Sequence, residues 1–95
     1  MIRSFKHQLA SDIFFERITG LTKKFPSELL SIARRKLQYL NAASLLSDLK
    51  SPPGNRLEAL KGKRKGQFSI RINDQWRLVF RWEDGPKEVE IVDYH

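Results

Sequence analysis

Two periods divide the chain. From Gln67 onward apolar and polar residues alternate. Phe68, Ile70 and Ile72 interleave with Gln67, Ser69 and Arg71, and Trp76, Leu78, Phe80 and Trp82 with Arg77, Val79 and Arg81. A period of two is the mark of strands that bury one face. Before Ser51-Pro52-Pro53-Gly54 the spacing is instead that of a helix. Leu30, Ala33, Leu37 and Leu40 recur at steps of three and four, which predicts an amphipathic helix from about Pro26 and Ser27 to about Ala43. Proline suits its first turn, where the missing N–H has no partner to lose. An earlier helix is predicted over His7 to Arg17, with Leu9, Ile13 and Phe14 or Phe15 on one face and Thr19-Gly20 ending it. Ile2 to Phe5 reads as a short edge strand, Leu45 to Leu49 as a further turn, and Leu57 to Leu60 as an extra strand. Glu88 to Asp93 follows the turn Asp84-Gly85-Pro86 as the last strand. Helices first and an antiparallel sheet second make an α+β domain, one unit over residues 1–95.

The hairpin register follows from the same pattern. A two-residue turn at Asn73-Asp74 would pair Ile72 with Gln75 and mix polar with apolar side chains on both faces. A three-residue loop, Asn73-Asp74-Gln75, pairs Ile72 with Trp76 and Ile70 with Leu78 and leaves one face uniformly apolar. On that reading Arg71, Arg77 and Arg81 share the opposite face.

Composition narrows the function. The 95 residues carry eighteen Lys and Arg against eleven Asp and Glu, a formal charge of +7. A surface of this kind attracts polyanions, and nucleic acid is the usual one. The helix charges Arg34, Arg35 and Lys36 lie largely off the apolar stripe. They read first as a solvated face and second as an RNA contact. With no cysteine and two histidines a structural zinc site is not expected. No apolar run is long enough to cross a bilayer, and the first residues lack a signal peptide's apolar stretch, so a cytoplasmic location without membrane association is expected.

Several segments then resemble one family in order and spacing. They are Ile2-Arg3-Ser4-Phe5-Lys6-His7, Leu60-Lys61-Gly62-Lys63-Arg64-Lys65-Gly66 with Ser69-Ile70 behind it, Asn73, Trp76-Arg77-Leu78, Phe80 and Asp93-Tyr94-His95. Together they are similar to HigB toxins of the RelE/ParE superfamily over nearly the whole chain. The resemblance implies two or three N-terminal helices packed on a curved antiparallel sheet. It also implies the toxin of a type II toxin–antitoxin pair, an endoribonuclease that cuts messenger RNA on the ribosome and so stops translation. The implied partners are a HigA-like helix-turn-helix antitoxin, the ribosome and its message, with DNA reached only through the antitoxin. No cofactor is implied.

The same resemblance places catalysis at Lys61, Arg77, Asp93, Tyr94 and His95. Each suits metal-free cleavage, in which the RNA's own 2′-OH attacks the neighbouring phosphorus and the reaction needs a base, an acid and cations. Arg77 offers a planar fork for two phosphate oxygens. Lys61 is a compact cation, or a base if its proton is loosened. His95 titrates near neutrality. Asp93 can orient the imidazole, and Tyr94 has a ring to stack on a base. Glu58 departs from the pattern, because some members carry histidine three residues before the Lys61 position. A carboxylate can be a base but not a cationic acid, so Glu58 is a base, or His95 works alone, or activity is weakened. Lys63, Arg64, Lys65, Arg71 and Arg81 join the helix cations as candidate contacts to RNA or ribosome. Two other classes share these features. One is an inert basic module that binds RNA or antitoxin, and the other is a ParE-like poison of DNA gyrase.

Overall fold

A computed structural model describes residues 1–94, and His95 lies outside the described residues. Three helices precede a four-stranded antiparallel sheet. The helices are α1 (Gln8–Phe14), α2 (Gly20–Lys24) and α3 (Leu30–Ala42). The strands are β1 (Glu58–Ala59), β2 (Phe68–Arg71), β3 (Trp76–Trp82) and β4 (Pro86–Asp93), in spatial order β1-β2-β3-β4. Ala33, Leu37 and Leu40 of α3 meet Ile70, Leu78, Phe80 and Val89 of the sheet in one buried cluster, which α1 closes with Ala10 and Ile13. The expected stripe is therefore the core face of α3. No helix among the described residues is long and apolar enough to cross a membrane.

The hairpin has the expected register. Ile70 pairs with Leu78 and Arg71 with Arg77. Asn73 sets the three-residue loop, its Oδ1 accepting from the Gln75 and Trp76 amides at 2.9 and 2.7 Å, an Asx turn that fixes where β3 begins. β4 continues the sheet, pairing Arg77 with Val92 and Val79 with Glu90, and a one-residue irregularity follows at Glu88, whose φ is 51°.

Four features differ from the sequence expectation. α1 stops at Phe14 rather than Arg17 because Glu16 turns left-handed at φ 57°. The Arg17 amide then reaches back to the Asp12 carbonyl at 2.8 Å and the Glu16 amide to Ile13 at 3.2 Å, the paired bonds of a Schellman end. Thr19 and Gly20 do not end that helix. They begin α2, with Thr19 and Thr22 capping each other. The chain enters α3 through a 3-10 turn at Ser27–Leu29. Ile2 to Phe5 runs beside β4, bonded through Arg3, Ser4 and Lys6, but makes a single parallel bridge, Phe5 to Val89, rather than a strand.

Candidate active site on the open face of the sheet

The helices cover one face of the sheet, and the candidate chemistry gathers on the other. Alternation along β3 puts Arg77, Val79 and Arg81 there, with Arg71 beside Arg77. Arg77 is the anchor. It is only 8% exposed, so its guanidinium needs fixed partners. Its Nη2 donates to the Arg56 carbonyl at 2.9 Å and its Nη1 to Glu58 Oε1 at 3.3 Å. Arg56 can aim that carbonyl because its own backbone is left-handed, at φ 48°. The Tyr94 ring lies over the guanidinium, 5.4 Å from Cζ to ring centroid. The ring is partly open to solvent, and Glu58, on the short edge strand β1, is about half exposed. Arg77, Tyr94 and Glu58 thus form one contiguous group in which a cation is held from below and approached from outside.

Lys61 follows Glu58 by three residues and heads a 3-10 turn, Gly62–Arg64. The turn is bracketed by two left-handed glycines, Gly62 at φ 63° and Gly66 at φ 92°. The positive φ of Gly66 is one that L side chains rarely adopt, so glycine suits this turn; an added Cβ would also meet Arg81 Nη1 at 2.8 Å, the movable end of a flexible side chain. Lys61, Lys63 and Lys65 are exposed. Arg64 instead turns inward to Gln67 Oε1 and Glu90 Oε2, each at 3.3 Å.

The remaining candidates divide. Asp93 pairs across the sheet with Trp76, so alternation places it on the helix-facing side of β4, away from Arg77 and Tyr94. Gln75 Nε2 donates to it at 3.2 Å. His95 falls outside the described residues. Arg71 pairs with Asp74 at 2.5 Å, Arg81 with Glu88 at 3.7 Å, and Arg34 with Glu16. Arg35 is exposed.

Lys36 is a correction. Expected on a solvated face, it is 7% exposed, and its Nζ donates to Asn55 Oδ1 at 2.5 Å. Asn55 is itself buried and donates to the Leu49 and Ser51 carbonyls. Burial, with Arg35 and Arg71 nearby, holds the Lys36 ammonium below its ordinary value. These bonds tie α3 to the segment leading into β1 and leave the ammonium little open surface. Sequence reasoning also missed Arg56, Gln67 and Glu90. Arg56 acts through its carbonyl, which no side-chain pattern reveals. Glu90 alternates with Val89 and Ile91 as any exposed strand glutamate would.

The model of RelE-like toxins of the type II toxin–antitoxin system HigB matches residues 3–95. The chain belongs to the HigB-like toxin family. It is 49% identical over 70 residues to Toxin HigB-1 of Vibrio cholerae, covering 74% of each chain. It is 31% identical over 96 residues to Endoribonuclease HigB of Proteus vulgaris, covering the whole of both. Membership implies an antitoxin partner, and the helices-then-sheet architecture of this HigB-like chain agrees with the RelE-like fold.

Proposed function

We propose that this HigB-like chain is an endoribonuclease that cleaves messenger RNA held on the ribosome, using the RNA's own 2′-OH and no metal. The observation that carries the reading is the Arg77 guanidinium, buried, clamped by Arg56 and Glu58 and lying beneath the Tyr94 ring. The Endoribonuclease HigB of Proteus vulgaris, similar over the whole chain, supports it.

In this reading Glu58 takes the proton from the 2′-OH. The 2′-oxygen bonds to phosphorus, the P–O5′ bond breaks, and His95 protonates the departing 5′-oxygen. Arg77 and Lys61 carry the charge that develops on the phosphoryl oxygens. Tyr94 stacks on a base turned out of its neighbours. Asp93 acts from the far side of the chain end, fixing its direction through Gln75. The loop lysines Lys63 and Lys65, with Arg35, Arg71 and Arg81, supply the basic surface that docks on ribosomal RNA. Arg34, on α3, adds a further cation on the helical layer. The 95 residues act as one domain in the cytoplasm, restrained by a HigA-like helix-turn-helix antitoxin that alone contacts DNA.

The test is to map both ends of a message after incubation with the purified chain, with and without programmed ribosomes. Products carrying a 2′,3′-cyclic phosphate and a 5′-hydroxyl, formed on ribosomes and unaffected by chelator, are expected. A 5′-phosphate product, loss of cutting in chelator, or equal cutting of free RNA overturns the reading.

A further inference from the structure

The row of the sheet next to Arg77 has a property that the cleavage chemistry does not use. Ser69, Val79 and Glu90 are neighbours across β2, β3 and β4 on the open face, yet all three are buried. Glu90 is a carboxylate only 5% exposed. A buried carboxylate is retained only if cations and hydrogen bonds compensate it. Two cations and an imidazole converge on it: Arg64 Nη1 at 3.3 Å, Lys6 Nζ at 3.5 Å and His7 Nε2 at 3.6 Å. Arg64 also holds Gln67, itself buried, so its guanidinium links the start of β2 to β4 across the Val79 row. The backbone closes the same unit. The Leu60 amide donates to the Gln67 carbonyl and the Gln67 amide to the Arg64 carbonyl, both at 2.9 Å. Lys61 is therefore the first residue of a loop whose far side is pinned by Arg64 to Glu90.

We propose that Glu90 is a positioning residue that, through Arg64, holds the basic loop 61–65 against the sheet and so fixes where Lys61 stands for the reaction. The role rests on the cleavage reading above for its consequence but not for its geometry. Glu90 touches no reacting atom; it acts through Arg64. Its effect also has a sign that separates it from simple electrostatics. Glu90→Gln removes a negative charge from a basic protein, and the field alone would then strengthen attraction to RNA. Loss of loop placement instead lowers the chemical step, because a misplacement of about 1 Å can cost on the order of 100-fold.

The experiment compares Glu90→Gln, Glu90→Asp and Arg64→Gln with the unaltered chain in two readouts. The first is amide hydrogen exchange at Leu60 and Gln67, which reads the loop without any substrate. The second is steady-state cleavage on programmed ribosomes, with kcat and KM separated. Arg64→Gln alters a partly exposed side chain and keeps the test open if Glu90→Gln folds poorly. Faster exchange at both amides is expected in the Gln variants. Cleavage should fall between about 10- and 100-fold in kcat with KM little changed, and Glu90→Asp should recover part of the loss. The double variant should be no slower than either single one, and none of these substitutions should slow a Lys61→Ala chain further. Unchanged exchange, a change confined to KM, faster cleavage in Glu90→Gln, or additive losses in the double variant would each overturn the role. If exchange accelerates as expected but the unaltered chain cuts no message, the cleavage reading fails and the loop role stands on the exchange result.

Discussion

Removing Arg77 should injure both the fold and the reaction, and the structure lets the two be apportioned. In Arg77→Ala the Arg56 carbonyl loses its 2.9 Å donor and Glu58 loses its 3.3 Å partner. A hydrogen bond from a charged donor contributes about 1.5–3 kcal/mol. The Glu58 pair is worth less, below ~1 kcal/mol, because that carboxylate is half open to water. Water can also reach the exposed Arg56 segment, which brings the sum to about 2 kcal/mol. A domain of this size loses roughly 4–8 °C of melting temperature per kcal/mol, so a fall on the order of 10 °C is expected. Removal of one preorganised charge-stabilising donor costs about 10²–10³ in rate. The assay pairs a thermal melt with single-turnover cleavage on programmed ribosomes, run well below both melting points so that the folded fraction is close to one. Arg77→Lys serves as the companion, since it keeps the charge but not the fork and should recover stability better than rate. A melting temperature equal to that of the unaltered chain would refute the clamp. An Arg77→Ala chain that cleaves at full rate would refute the phosphate role even if it melts early.

Two further outcomes follow from single side chains. Glu58→Gln should lower the cleavage rate by about 10²–10⁴, the contribution of one general base, while Glu58→His retains a base and much of the rate; equal rates for Glu58→Gln and the unaltered chain would move the base elsewhere. Burial pushes the Asp12 carboxyl up, but the bonds it accepts from Thr19, Arg17 and Gln8 outweigh this and hold it below its ordinary 3.8. Its contribution to stability is therefore full above pH 3.8 and lost as pH falls through the lower folded value. The stability gap between the unaltered chain and Asp12→Asn should narrow over that acid range, and a constant gap would show that the carboxylate is not held by those bonds.

Side-chain periodicity made the sheet legible and left the helix ends obscure. Alternation around Asn73 was enough to choose the hairpin register, because a one-residue slip would have turned every apolar side chain of β2 to the open face. The end of α1 was not legible, because it depends on a glutamate adopting φ 57° where glycine is the usual signal. The site shows the same division. Arg77 and Tyr94 could be assigned to one site in advance only through the family resemblance, and they meet face to ring. Asp93 belongs to the same set, yet alternation sends it to the opposite face from its neighbour Tyr94. Lys36 shows the limit of reading charge as exposure. It lies next to Leu37 on the edge of the apolar stripe, and only the later packing of Asn55 gives its ammonium a buried partner. Long-range partners of this kind leave no local signature.

The basic surface contains two kinds of cation, and salt should tell them apart. Arg34, Arg64, Arg71, Arg77 and Arg81 each already hold a carboxylate, from Glu16, Glu90, Asp74, Glu58 and Glu88 respectively. Lys61, Lys63 and Lys65 make no ion pair among the described residues. Salt dependence of RNA binding measures the counterions released when a cation meets a phosphate, about 0.7 per contact for a single strand. A free lysine contributes that amount in full. A paired arginine that takes a phosphate frees its own carboxylate, which then sits close to the new anion and needs a cation from solution, so the net release is near zero. Lys63→Gln should therefore flatten the plot of log affinity against log salt by about 0.7. Arg71→Gln and Arg81→Gln should leave the slope nearly unchanged even where affinity falls. Fluorescence anisotropy of a labelled single-stranded RNA, titrated with each variant over a range of salt, reads the slopes directly. Equal flattening for the lysine and arginine variants would mean that the arginine pairs dissolve in solution, and all the cations of this face would then count alike toward RNA.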